Sequence, residues 1–564
     1  MSISGGGVTK LLLHSPPAVI SFSSDPTAAA TSRRRRPSHF PTRRAPSLLS
    51  IKASPSLSAA FGVRAATAMD SVEKEMIKDG DVDEAFDAKR AAGLVGELRR
   101  SFDSGTTRSY EWRIAQIKQI AKMMEEKESE IFEALRADLS KPKFEAYVSE
   151  ISLTIASCKH AVKELRKWMA PEKVKTSLTT YPSSAEIVSE PLGVVLVISA
   201  WNYPFLLSLE PVIGAIAAGN AVVLKPSEIA PAASSLLAKL ADLYLDKSAV
   251  RVVEGEVPET SALLEQKWDK ILYTGNGRVG RIVMAAAAKH LTPVVLELGG
   301  KCPAFVDSNV NLQVAARRII AGKWGCNNGQ TCVSIDYIVT TKEFAPELIG
   351  GLKRGLAELF GENAMDSKDI SRIVSSRHFL RLAKLLDEVS DKVVLGGESD
   401  QTQLKIAPTI LLDVPQDAQI MQEEIFGPLL PIITVGKIED GFDLIKSKPK
   451  PLAAYLFTES HQLKKDFVRD ISSGGMLIND SVLHLTVPGL PFGGVGESGM
   501  GAYHGKFSFD AFSHKKAVLY RSFGGDSDVR YPPYTPKKLG VMRALLKGKI
   551  LGIVLSLVGW SSEE

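Results

Sequence analysis

The sequence predicts an α/β protein built on a doubly wound parallel sheet, followed by a second α/β region. Three observations carry that prediction. From Gly193 onward, short β-branched runs alternate with helical stretches, the rhythm of strands joined by crossover helices. The runs are continuously apolar, as in GVVLVISA (193–200), which suits strands covered on both faces. Glycine turns fall between strand and helix, as in GNGRVG (275–280).

Taken in order, residues 1–69 hold nine Lys/Arg, a single acid (Asp25), many serines and seven prolines. This is the composition of an organelle transit peptide. The prolines oppose an amphipathic presequence helix, so a plastid is favoured over the alternative, a mitochondrion. From Val82 to about Ala170 the pattern is helical, with Ile114, Ile117, Ile120 and Met124 on one face. Thr176 to Pro191 alternates polar and β-branched residues and reads as an extended arm or hairpin. Strands are expected at 193–200, 221–225, 250–255, 270–275 and 293–300. Helices are expected over Ala230–Leu245, near Glu259 and from Val279. Further helices are expected near 311–323 and 376–390. The terminal KILGIVLSLVGW (549–560) is too short to span a bilayer and reads either as a peripheral membrane contact or as a segment docked on the body.

The formal charge of +5 resides in the leader, and the remainder is slightly acidic, so net charge gives no support to nucleic-acid binding. Four cysteines in 564 residues are too few for a disulfide framework. The nine histidines are scattered, and no metal-ligand spacing appears.

Ligands of doubly wound sheets bind at the carboxyl ends of the strands, so the motifs there matter most. GNGRVG is either a dinucleotide turn or an ordinary strand-to-helix turn. LKPSE (224–228) sets Lys225 and Glu228 just past a strand, as a ribose-binding carboxylate or a solvated surface pair. CNNGQTC (326–332) is poorly suited to a disulfide or a zinc pair. It leaves two readings for its thiols, packed small residues or a nucleophile.

WNYPF (201–205), LKPSE, YTGNGRVG (273–280), ELGGKCPAFVD (297–307), GQTCVS (329–334), EEIFGP (423–428) and PFGGVGESGMGAYHGKFSFDAFSHKK (491–516) occur in one order and register. Together they resemble the aldehyde dehydrogenase superfamily over roughly residues 85–520. The last motif is similar to the family 3 branch, which includes fatty aldehyde dehydrogenases; with the leader, the chain resembles the plastid enzymes of plants.

The resemblance implies an aldehyde dehydrogenase-like fold. Its parts would be a transit peptide (1–69), a helical entry (82–175), a bridging arm (176–190), a dinucleotide-binding domain (191–297), a catalytic domain (298–483), a return to the cofactor and bridging region (484–520) and a C-terminal extension (521–564). It implies oxidation of medium- to long-chain aliphatic aldehydes to carboxylates in stress detoxification, by a homodimer. Cys332 would be the nucleophile, Asn202 an oxyanion donor and Glu297 the base for thioester hydrolysis. Lys225 and Glu228 would hold the adenosine ribose, and Gly275, Asn276, Gly277, Arg278, Val279 and Gly280 would lie against the pyrophosphate. Glu424 would hold the nicotinamide ribose and Phe426 would pack beside the ring. NAD is the first expected cofactor and NADP the second; no metal is expected. Asn276 departs from the serine of many relatives. Glu297 argues against a CoA-acylating enzyme, and the whole set argues against a purely structural, crystallin-like role. Cys326 is read as packing, or as a redox brake on Cys332.

Overall fold

Past Pro171, where proline ends the helical entry, the chain turns extended. Glu172–Val174 (β1) pairs antiparallel with Ser184–Pro191 (β2), so a hairpin forms that begins four residues before the arm or hairpin expected over 176–191. A computed structural model describes residues 86–177, 180, 183–524 and 526–548. The leader 1–69 and the apolar run 549–560 lie outside the described residues.

Among the described residues, five α-helices precede that hairpin: Ala88–Asp103 (α1), Tyr110–Glu126 (α2), Glu128–Leu139 (α3), Lys143–Ala146 (α4) and Leu153–Met169 (α5). Between α4 and α5 the backbone winds as a π-helix, Tyr147–Ser152. Helix α2 buries Ile117, Ile120, Met123 and Met124, close to the stripe its periodicity predicts.

Val194–Ile198 (β3), Ala221–Lys225 (β4), Val250–Val252 (β5), Lys270–Thr274 (β6) and Val294–Glu297 (β7) run parallel in the order β7-β6-β3-β4-β5. The intervening helices are Leu206–Ala218 (α6), Pro231–Tyr244 (α7), Val257–Leu264 (α8) and Gly277–Ala288 (α9). Val195, Val197, Val222 and Leu224 face the cluster formed with α2, α5, α6 and α7. Val194, Leu196, Ala221 and Val223 face the cluster formed with α1, α8 and α9. All five residues of β3 are therefore buried, which is why its sequence shows no alternation. The strand order reverses between β3 and β6, so their carboxyl ends flank the topological switch point, where such sheets bind ligands.

The second sheet follows with Pro303–Val306 (β8), Tyr337–Thr341 (β9) and Val393–Leu395 (β10). After a two-stranded ribbon, Ser399–Asp400 (β11) and Lys405–Ile406 (β12), come Thr409–Leu412 (β13), Leu429–Val435 (β14), Ala453–Phe457 (β15) and Gly475–Ile478 (β16). Its order is β10-β13-β14-β9-β8-β15-β16, parallel except at β10. Helices Leu312–Lys323 (α10), Ala345–Phe360 (α11) and Ser376–Glu388 (α12) belong to this region. Gly499–Met500 (β17) then returns to edge the first sheet, with Gly499 opposite Glu297. Ser513–Tyr520 (β18) pairs with β2 along its length.

Candidate active site

Both sheets present their loops to one region, and the cysteine segment enters it after α10. Trp324 anchors the entry by donating its indole N–H to the Pro428 carbonyl at 2.7 Å. Asn327 and Asn328 follow in left-handed conformations, then Gly329 at φ 80°. A Cβ on Gly329 would stand 2.2 Å from the Gly427 carbonyl oxygen, so only glycine fits this turn. The fully buried Gln330 donates to the carbonyls of Asn327 (3.1 Å) and Arg372 (2.9 Å) and accepts the Val374 N–H at 3.0 Å. Thr331 is bonded to the Tyr203 hydroxyl at 2.8 Å. Thus fixed on both sides, Cys332 is half-buried.

Burial, then the negative fields of Glu424 and Glu297, push the Cys332 thiol up to about 12. It therefore carries its proton at neutral pH, and nucleophilic use of the sulfur requires a base. Cys326 is also a free thiol, pushed up to about 12 by burial and Glu145. A third thiol, Cys302, is buried and donates to the Cys332 carbonyl at 3.3 Å.

Asn202 lies just beyond β3 and is buried. Its amide nitrogen donates to the Gln330 carbonyl at 3.1 Å, tying the end of β3 to the cysteine turn. Glu297 is the last residue of β7, and it is buried with neither carboxylate oxygen partnered. Burial alone holds its carboxyl well above the usual carboxylate range. Glu424 reaches the same place from a distant loop: a Cβ on Gly299 would stand 1.9 Å from its carboxylate. Burial and the neighbouring Asp336 raise Glu424 to about 8, opposed by the Gly300 N–H and by Lys301 and Arg381.

That loop is strapped down. Ile425 N–H donates to Asp336 at 3.0 Å, Lys301 donates to the Glu423 carbonyl at 2.9 Å, and Arg381 binds the Glu423 carboxylate at 2.8 Å. Phe426, in a left-handed conformation, meets Trp201 edge-on with ring centroids 5.3 Å apart.

Lys225 ends β4 buried, donating to the Pro226 carbonyl at 2.7 Å and lying 3.4 Å from the Glu228 carboxylate. Glu228 lines a cavity of about 530 Å³ with Asp138, Pro231, Arg372, Arg377 and His378. Helix α9 opens at Gly277, two residues before the expected start, because Asn276 caps it by accepting the Val279 N–H at 3.0 Å. Gly275 passes so close to Tyr273 that a Cβ there would meet its hydroxyl at 2.2 Å. Arg278 is exposed, Val279 half-buried and Gly280 buried in this first turn. The first N–H groups of α9 have no intrahelical acceptor, which suits a pyrophosphate at the switch point. A carboxylate beyond β4 and another over Gly299 suit the two riboses of a dinucleotide. The residues present fit such a group.

Sequence reasoning missed the groups that hold these side chains: Lys141, Glu145, Glu150, Lys301, Asp336 and Arg381. Lys141 and Glu150 form an ion pair at 2.7 Å with both side chains fully buried, and no local pattern marks either residue. Tyr503, in the motif over 491–516, is buried in the field of Glu297, Glu210 and Cys332.

Comparison with known proteins gives the following. The model of the aldehyde dehydrogenase family matches residues 74–518. The chain is 67% identical over 498 residues to aldehyde dehydrogenase family 3 member I1, chloroplastic, of Arabidopsis thaliana, covering 88% of this chain and 90% of that protein. It is 47% identical to the dimeric NADP-preferring aldehyde dehydrogenase of Rattus norvegicus, covering 79% of this chain and 98% of that one. Its fold is similar to the substrate-bound state of Staphylococcus aureus AldH, with a TM-score of 0.79 at 42% identity, covering 81% and 99% of the two chains.

Proposed function

The chain belongs to the aldehyde dehydrogenase family, in its family 3 branch, and from that premise we propose that it oxidises medium- to long-chain aliphatic aldehydes such as lipid-peroxidation products. Enzymes of this family convert aldehydes to carboxylic acids with NAD or NADP. The observation that carries the assignment of roles is a half-buried thiol in the field of a buried carboxyl, Glu297, and a half-buried one, Glu424, with the Asn202 amide tied to the same turn.

In this reading the sulfur of Cys332 attacks the aldehyde carbonyl carbon, and the carbonyl π pair moves onto oxygen. Asn202 keeps one amide N–H on Gln330 and has the other free for that oxygen. The Cys332 backbone N–H is the second donor. The thiol proton passes to water as the carbon–sulfur bond forms, and Glu297, without a hydrogen-bond partner, stays free for the hydrolytic step. A dinucleotide held by Lys225, Glu228, the Gly275–Gly280 turn, Glu424 and Phe426 supplies the hydride acceptor. Glu297 next draws a proton from water as the water oxygen attacks the thioester carbon. The C–S bond breaks, the acid leaves, and Cys332 regains a proton.

Several finer assignments belong to the same proposal. The six-stranded sheet carries the cofactor, and the region of the seven-stranded sheet carries Cys332. Glu228 disfavours a 2′-phosphate by like charge, so NAD is the first cofactor, while the name of the rat relative keeps NADP as the second. That name also supports a dimer, with the β1-β2-β18 sheet as the bridging element. The Arg- and Ser-rich leader and the name of the Arabidopsis relative support a plastid, where stress detoxification is the proposed role.

The test is NADH absorbance on mixing the purified protein and NAD with a series of aldehydes from propanal to dodecanal. A kcat/KM that rises with chain length, and is lost in Cys332→Ala, is expected. A flat or falling series would remove the long-chain assignment, and an equal signal from Cys332→Ala would remove the nucleophile.

A further inference from the structure

Helix α4 and the π-helix that follows it hang two carboxylates, Glu145 and Glu150, inward over the cysteine turn, where neither has an assigned role. Glu150 is fully buried; one of its oxygens accepts the Lys141 ammonium at 2.7 Å and the other accepts the N–H groups of Phe205 and Leu206 at 3.0 and 3.1 Å. Lys141, thus neutralised, donates again at 3.0 Å to the backbone carbonyl of Asn202, and its ammonium lies 4.0 Å over the Tyr203 ring. Glu145 accepts the Asn327 N–H at 2.7 Å. Asn327 closes the circuit, donating from its side chain at 3.0 Å to that same Asn202 carbonyl. A buried ion pair adds little net stability against an apolar pair of equal volume, but it fixes geometry strictly. Here the fixed object is the peptide group of Asn202.

We propose that Lys141, held by Glu150, is a positioning residue that aims the Asn202 amide at the oxygen of the reacting carbonyl. The proposal rests on the reading of Asn202 as the oxyanion donor. An amide aimed before charge develops needs no reorganisation as the carbon–sulfur bond forms, which is what makes such a donor effective. Without the ammonium, the Asn202 carbonyl keeps only the Asn327 bond, and the turn between β3 and α6 is free to rotate the side chain.

A double-mutant cycle in the full chain tests this, because residues acting through one group are not additive. Lys141→Met is expected to lower kcat for hexanal about tenfold, with KM for NAD within about twofold of wild type. Lys141→Arg should recover part of the loss. In an Asn202→Ala background, Lys141→Met should lower kcat no further. Near-UV circular dichroism reports whether each variant keeps its packing. Should Lys141→Met not fold, Glu150→Gln retains an acceptor for the Phe205 and Leu206 N–H groups while releasing Lys141. It should show the same loss and the same non-additivity. A kcat unchanged in the variant used, or a loss that persists undiminished in the Asn202→Ala background, overturns the positioning role and leaves the oxyanion reading standing. If Asn202→Ala itself has wild-type kcat, the oxyanion reading fails first and the positioning role falls with it.

Discussion

Asn202 and Glu297 stand at the carboxyl end of one sheet, both buried, and are treated in opposite ways. The Asn202 peptide and side chain are held at three points, by Lys141, Asn327 and Gln330. Both oxygens of Glu297 are left without a partner. The difference follows from what each group is proposed to do. A donor for a developing negative charge works best when its direction is set beforehand. A base must collect and release protons, and burial without partners raises its proton affinity toward neutral pH.

The contrast predicts a graded set of effects. The largest falls on the unheld group. Glu297→Gln should lower steady-state turnover by about 10²–10⁴-fold, while rapid mixing still gives a burst of NADH as the thioester accumulates. Loss of the burst together with turnover would move Glu297 from hydrolysis to the first step. Next comes Asn202→Ala, expected to cost about 10²–10³ in kcat with no burst retained, because the loss precedes the thioester. Smaller again is Glu228→Gln. It should raise KM for NAD about tenfold and narrow the gap to NADP, as one charge-assisted bond is exchanged for a neutral one. An unchanged ratio of the two cofactors would take Glu228 out of the ribose site.

The smallest effect is one of stability, and its sign depends on pH. Burial raises the folded-state pKa of Glu297 above its unfolded value. The penalty of keeping it in the folded protein is therefore absent at about pH 4, where both states are protonated, and grows as pH rises toward the folded pKa. Glu297→Gln should accordingly raise Tm by about 2–4 °C at pH 8 and leave it unchanged near pH 4. An equal shift at both pH values would mean the gain comes from packing rather than from proton linkage.

Much of this was legible in the sequence, for identifiable reasons. Strands such as Val194–Ile198 are continuous β-branched runs because both faces are covered, so burial itself writes the signal. The start of α9 was read two residues late, since glycines 275 and 277 gave no helical weight and Asn276 was not taken as a cap. The extended Glu172–Val174 carries no strand signal of its own, because its pairing partner lies on the far side of a turn. The supports of the site left no trace at all. Lys141 meets Asn202 across 61 positions and Glu145 meets Asn327 across 182, and no local periodicity encodes such contacts. Glu297 could be told from a ribose-binding acid by motif, but its lack of any partner required the structure.

The late return of the chain to the first sheet also constrains how the protein can be made. Strand β7 is edged by Gly499–Met500, and β2 is completed by Ser513–Tyr520, each supplied about two to three hundred residues after its partner left the ribosome. The strand that ends in Glu297 therefore waits, with an open edge, through synthesis of the whole second sheet. Contacts of such long sequence separation slow folding and leave the open edge exposed to aggregation meanwhile. A truncation that stops before Gly499 leaves that edge of the first sheet open.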